Sequence, residues 1–186
     1  MEQYDRHNNA LLVRQAQVGS VLAFRRLAGR WNRKLVAHAW RLLGDFDQAN
    51  DAAQGAWVEI ALGLTRLRDP IAFPAWAYRI TTRQATAIIR RRQSDRRLAN
   101  ALEQAAETEP AAVHGQETPA SDIAALHEAI RNLPPAQRAA LALHHFENLS
   151  VAEVAVALDA PVGTIKTRLM HARLKLRAAL KGDTND

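Results

Sequence analysis

The chain has 186 residues, and its 25 Lys and Arg outnumber 19 Asp and Glu for a formal net charge of +6, which makes a polyanion a natural partner. With 48% hydrophobic and 24% charged residues it is not a disordered chain, and its length suits one domain or two small ones. There is no cysteine, which excludes disulfides, thiolate metal sites and cysteine nucleophiles.

The first stretch, MEQYDRHNNALLVRQAQ, lacks an apolar core of signal-peptide length, and no later run is long enough to cross a bilayer. The expectation is a cytoplasmic protein with no membrane insertion. Abundant Ala, Leu and Arg favour helices. Leu11, Leu12, Val18, Val21, Phe24 and Leu27 predict one or two of them, interrupted near Gly19-Ser20. Trp31, Leu35, Ala39 and Leu42 continue the apolar stripe to a turn at Gly44-Asp45, after which Asp47 or Asn50 starts a helix through Ala53, Ala56, Trp57 and Ile60. RLRDPIAFP, residues 66–74, reads as a loop carrying two prolines.

The next helix, AWAYRITTRQATAIIRRRQSDRR, places Trp76, Ile80, Ala87 and Ile88 inside. Its outer side presents Arg79, Arg83, Arg90, Arg91 and Arg92, with Tyr78 nearby. Arginines interleaved with aromatics suit single-stranded nucleic acid, guanidinium groups tracking phosphates while rings hold unstacked bases. For Trp57 and Trp76 the competing role is core packing, the commoner fate of aromatics at helical spacing.

From Leu98 to Asp122 there is no Lys or Arg, while Glu103, Glu107, Glu109, Glu117 and Asp122 are acidic among Ala, Thr, Gln, Pro110, Gly115 and Pro119. This composition predicts a flexible acidic linker with too little apolar surface to pack. Asp122 caps a helix through Ile123, Leu126, Ile130 and Leu133, which Pro134-Pro135 stops. A helix over 136–146 then buries Ala140, Leu141, Leu143 and His144.

In LSVAEVAVALDAPVGTIKTRLMHARLKLRAAL, Ser150 and Glu153 have capping-box spacing, and Val151, Val154, Ala155 and Leu158 give a short helix its buried side. Pro161 suits the turn, and Gly163 permits close approach or starts the last helix. There Ile165, Leu169, Ala172 and Leu176 face inward. Lys166, Arg173 and Arg177 form one exposed edge; Thr164, Arg168, His171 and Lys175 form another. No acidic residue occurs between Gly163 and Lys181. A short helix, a tight turn and a longer basic helix make a helix-turn-helix, whose second helix enters the major groove.

The predicted architecture is therefore all-α: helical domains over 1–97 and 123–186, joined by a flexible acidic linker over 98–122, the second domain a helix-turn-helix. Together these stretches resemble the extracytoplasmic-function group of bacterial sigma factors over nearly the whole chain. The resemblance is carried by LSVAEVAVALDAPVGTIKTRLMHARLKLR, by LPPAQRAALALHHFENLS before it, and by GDFDQANDAAQGAWVEI and FPAWAYRI in the amino half.

The resemblance implies docking on the clamp of the β′ subunit of core RNA polymerase through Asp51, Gln54 and Trp57. It implies capture and melting of −10 promoter DNA by the helix with Trp76, Tyr78, Arg79, Arg83, Arg90 and Arg91. It further implies reading of the −35 element through Thr164, Lys166, Thr167, Arg168 and His171, with Arg173 and Lys175 near phosphates. An anti-sigma factor is a frequent further partner in the family. Three positions depart from the pattern: Gly55 replaces an acidic residue, Arg83 an asparagine and Ala87 an aspartate. Opposite charges on linker and helices also allow the two domains to pack together and cover their own DNA surfaces.

Two rivals stand beside this reading. A two-domain helix-turn-helix regulator acting without sigma activity shares the carboxy-terminal motif, although a receiver domain needs period-two strands that the amino half does not show. An enzyme has less support: His144, His145 and Glu147 form the single His–acid cluster, adjacent histidines point to different sides of a helix, and no third ligand has metal-site spacing. No catalytic residue, metal or cofactor is expected, and the histidines are assigned to packing or helix-end hydrogen bonding.

Overall fold

Helix boundaries in this chain follow local capping chemistry. The computed structural model describes residues 2–105 and 122–182. Helix α1 (Glu2–Gln17) is followed by α2 (Val21–Leu43), capped by the Ser20 hydroxyl, which accepts from the Ala23 amide. Gly44 closes α2 with φ of 70°, a left-handed conformation that glycine adopts without a Cβ penalty. The carboxylate of Asp45, rather than Asp47 or Asn50, then caps α3 (Phe46–Gly63) by accepting from the Gln48 amide.

The proline-bearing stretch forms two 3₁₀ turns, Leu64–Arg66 and Pro70–Ala72, before α4 (Phe73–Ala105). Pro74 is thus inside the first turn of α4, where its missing N–H costs nothing. Helix α4 also runs through 98–105, so the first third of the expected linker continues the helix; the rest, 106–121, lies outside the described residues.

The second unit holds α5 (Asp122–Arg131), α6 (Pro135–Leu141) with a π turn Ala142–Phe146, α7 (Val151–Ala157) and α8 (Val162–Gly182). Among the described residues there is no strand. The Ser150–Glu153 capping box is present in both directions. Helix α7 ends with Asp159 at φ of 49° and the Ala160 amide reaching the Ala155 carbonyl at 3.0 Å, a six-to-one closure that fixes the turn into α8. A Cβ on Gly163 would meet nothing within 4 Å, so Gly163 serves the start of α8 and not a close approach.

Trp31, Leu35, Ala53, Ile60, Phe73, Ala77 and Ile80 fill the centre of the first unit. Leu143, Leu149, Val154, Ile165 and Leu169 fill the second, and the two cores merge into one apolar cluster. Ala139 and Leu158 of the second unit rest beside Leu42, Ala85, Ile88 and Ile89 of the first. Some predicted apolar positions lie outside the core. Val18 and Val21 are 86% and 68% exposed at the α1–α2 turn, where Val13, Ala23 and Leu27 are buried instead. Ala87 is exposed while Ala85 is fully buried, because the inward face of α4 passes through 77, 80, 81 and 85.

Candidate nucleic-acid interface

Helix α8 is anchored by Ile165, Leu169 and Ala172, all at most 4% exposed, which fixes the direction of every other side chain on it. Lys166, Thr167, His171, Arg173 and Lys175 are exposed, and Thr164 and Arg168 are half-buried. Thr164, Thr167, Arg168, His171 and Lys175 share one side at spacings of three and four. The Thr167 hydroxyl donates to the Gly163 carbonyl at 3.1 Å, leaving its lone pairs outward. On the other side, Lys166, Arg173 and Arg177 border a groove floored by Val151, Leu169, Met170 and Leu174. Met170 and Leu174 are about half exposed, apolar residues on an otherwise basic face.

On α4, Arg79, Thr82, Arg83, Thr86, Arg90 and Gln93 form one stripe at helical spacing. This stripe faces the second unit across a cavity of about 740 Å³ that Arg168 of α8 also lines. Candidate −10 and −35 residues from the two units are thereby brought together. Arg79 pairs with Asp159 at 2.9 Å, and Arg83 pairs with Glu59 of α3. Arg91 is exposed. Arg92, expected on the outer side, turns back to the Leu43 carbonyl and to Asp45. Trp76 is half-buried, its ring 6.2 Å from Phe73 and close to Gly63, where a Cβ would stand 3.1 Å from it.

Tyr78 is not on the outer side of α4: it is 2% exposed, because its ring lies inward between Trp31 and His38. Its hydroxyl donates to Glu147, whose other oxygen accepts from Arg41 Nη1 at 2.6 Å. Burial, reinforced by the Glu147 charge and hydrogen bond, holds the phenol well above its usual range. Sequence reasoning missed Arg41 and Asp159, and it considered Glu147 only beside the histidines. Arg41 and Glu147 are 106 positions apart, a separation over which no local spacing rule acts.

On α3, Asp51 and Gln54 are exposed and continue into Val58 and Leu62, 63% and 76% exposed, along the same side of the helix. Exposed apolar residues flanked by a carboxylate and an amide make this a candidate protein-docking stripe. Trp57 is half-buried and turned from this stripe, its Nε1 donating to Asn32 and its ring edge-on to Phe24. Gly55 abuts α4: a Cβ there would stand 3.3 Å from the Gln84 side chain. Its small size lets α3 and α4 approach, and an acidic side chain at this position would displace Gln84.

The histidines of the HHFE cluster have structural partners. His144 Nδ1 lies 2.8 Å from the Leu149 carbonyl, and His145 lies 3.4 Å from Arg173, its pKa lowered by burial and by its two basic neighbours. Among the described residues no cluster of three His, Asp or Glu could hold a metal ion, and no helix is long and apolar enough to cross a membrane.

Comparison with known proteins finds two matches along the chain. Residues 27–95 match the family described as Sigma-70 region 2, and residues 123–176 match Sigma-70, region 4. The RNA polymerase sigma-H factor of Pseudomonas aeruginosa is 30% identical, covering 91% of this chain and 92% of its own length. The ECF RNA polymerase sigma factor SigW of Bacillus subtilis is 27% identical, covering 91% and 95%. In fold, the chain is similar to CnrH in its complex with the cytosolic domain of CnrY, with a TM-score of 0.70 at 23% identity over 95% of this chain and 99% of that one. It is also similar to RpoE of Bartonella quintana in complex with the anti-sigma factor NepR, with a TM-score of 0.69 at 22% identity over 89% and 100%.

Proposed function

Because the chain belongs to the sigma-70 family, as an RNA polymerase sigma factor of the extracytoplasmic-function group, we propose that its two helical units divide promoter recognition between them. A sigma factor directs promoter-specific transcription initiation. In this reading α8 takes the −35 element, with Thr164, Lys166, Thr167, Arg168 and His171 at base edges and Arg173 and Lys175 at phosphates. The α4 stripe of Arg79, Arg83 and Arg90, with Arg91 and Trp76 beside it, takes the −10 strand. The α3 stripe of Asp51, Gln54, Val58 and Leu62 docks on core polymerase, and Trp57 positions α3 against α2. Partners are core polymerase, promoter DNA and an anti-sigma factor, and the site of action is the cytoplasm.

The observation that supports the reading is the exposed face of α8: hydroxyl, imidazole and basic side chains in register above a buried stripe, in a unit with helix-turn-helix geometry. The rival reading, a regulator that acts without polymerase, is disfavoured by the match of the first unit to sigma-70 region 2. The testing experiment is run-off transcription with bacterial core polymerase, with and without this protein, on pooled promoter fragments. Discrete, protein-dependent start sites support the reading; their absence, with tight duplex binding by the protein alone, returns the regulator.

Two substitutions sharpen the test. Arg168→Ala with His171→Ala removes two base-edge contacts worth about 1–3 kcal/mol each, so promoter use should fall by roughly 100-fold while co-purification with core polymerase is unchanged. Val58→Arg places a bulky cation in the middle of the α3 stripe, and it should weaken core-polymerase binding with little effect on thermal stability. Normal holoenzyme formation by that variant removes the docking assignment.

A further inference from the structure

Glu147 follows the π turn of the second unit, yet its side chain is only 7% exposed because it enters a socket made by the first. One oxygen accepts from Arg41 of α2 and the other from the hydroxyl of Tyr78 of α4. Phe146 lies against the Arg41 guanidinium, 4.6 Å from ring centre to carbon. Within the socket, Tyr78 is braced edge-on by Trp31 at 5.7 Å and by His38 at 5.1 Å.

We propose that Glu147 is a latch that holds the two promoter-reading units closed on each other, and that it must withdraw before the chain can span a promoter. The inference rests on the sigma-factor reading above. Elements centred at −35 and −10 lie about 25 base pairs apart, about 85 Å along B-form DNA at 3.4 Å per pair. Here Arg79, Arg83 and Arg90 share one cavity with Arg168, so the closed chain cannot engage both elements at once.

Glu147 carries this role better than the other contacts between the units. The Arg79–Asp159 pair is exposed, with side chains 45% and 77% accessible, and such pairs are screened and contribute little. Apolar contact across the junction, which includes Ala139 and Leu158 against Leu42, Ala85, Ile88 and Ile89, is non-directional. A buried, doubly hydrogen-bonded carboxylate fixes one closed geometry. Opening returns the carboxylate, the phenol and the guanidinium to water together, so no buried polar group is stranded and the latch is releasable. Closure lowers the population of the binding-competent form, and apparent affinity falls in proportion.

The chain has no cysteine, so Val18→Cys and Ala179→Cys, both at exposed positions, give a clean pair of spin-label sites in the full-length protein. The unsubstituted latch should show one narrow distance distribution. Glu147→Gln removes the charge, and Tyr78→Phe removes only the hydroxyl; both should shift the distribution to longer, broader distances with helix content retained by circular dichroism. In run-off transcription the half-saturating concentration of Glu147→Gln should fall by roughly 10-fold, the scale of one charge-assisted hydrogen bond. A broad distribution before substitution, or distances unmoved in both folded variants, overturns the latch. Distances that shift as expected without any polymerase-dependent start sites leave the latch standing and overturn the sigma-factor reading, so the two failures are distinct.

Discussion

Replacing Trp31 with alanine should cost about 3–5 kcal/mol of folding stability, the range for large aromatic truncations in a packed core. Trp31 is 3% exposed on α2. Its ring lies 5.4 Å from Phe73 at 82° and 5.7 Å from Tyr78 at 67°, two edge-to-face contacts that add to the burial term. The void left by alanine is bordered by α2 and α4, whose other contacts hold them apart, so collapse is incomplete and the cost stays near the upper end. Total stability of a domain is about 5–15 kcal/mol, so the loss is a large part of it. Trp31→Phe should be much milder, about 1 kcal/mol, because it keeps an aromatic body in the site and removes an indole N–H that finds no acceptor in the protein. Urea titration followed by circular dichroism checks both: the midpoint should drop with the slope preserved. A cost below 1 kcal/mol for the alanine variant would show that the aromatic cluster does not organise the first unit. Because the two units share one apolar cluster, the same loss should appear in the melting of the second.

Features set by neighbours within a few positions were legible in the sequence. The stripe Trp31, Leu35, Ala39 and Leu42 is buried as its spacing requires, the Gly44-Asp45 turn is a left-handed stop followed by a cap, and the Ser150–Glu153 box forms. The face of α8 was legible for the same reason: Ile165, Leu169 and Ala172 fix its inside, and the basic residues follow. Where the reading failed, the deciding partner was distant in the chain. Val18 and Val21 are as apolar as core residues, but the α1–α2 turn carries them away from α3 and α4. Tyr78 sits among arginines in the sequence and reads as surface, yet it is claimed by Trp31, His38 and Glu147, the last of these 69 positions away. Residues 98–105 continue α4 because Leu, Ala, Glu and Gln are good helix formers.

Closure also gathers like charge. Arg79, Arg83, Arg90 and Arg168 line one cavity in which Asp159 is the single acidic residue among those described. Their mutual repulsion favours opening and is relieved when each set of arginines meets its own stretch of DNA. The buried carboxylate of Glu147 and the partial neutralisation by Asp159 and Glu59 work against it. The opposing contributions leave the closed form dependent on a few named side chains, which is why single substitutions are expected to move it.

His38 should make the protein acid-labile in a way that one substitution removes. Its side chain is fully buried on α2, with Nε2 2.8 Å from the Thr82 hydroxyl and Nδ1 without a partner in the protein. Burial, with a further contribution from the Arg41 charge, lowers its pKa from 6.5 to about 3. The folded protein therefore keeps a neutral imidazole at pH values where the unfolded chain is already protonated. Stability from this residue is complete above about pH 6.5 and falls as pH drops from about 6.5 towards about 3, at up to about 1.4 kcal/mol per pH unit. His38→Gln retains an N–H that can reach Thr82 but does not titrate. At pH 7.5 it should be the less stable form by about 1–2 kcal/mol, the scale of an imperfect buried hydrogen bond. Its loss on acidification should be shallower, so that the two stability curves cross near pH 5 and the variant is the more stable protein at pH 4. Carboxylates titrate in both proteins and cancel in the difference, so urea titrations at four or five pH values isolate the histidine. Parallel curves would mean that His38 is protonated in the folded state, and hence that the packing between α2 and α4 around Thr82 and Tyr78 is open to water.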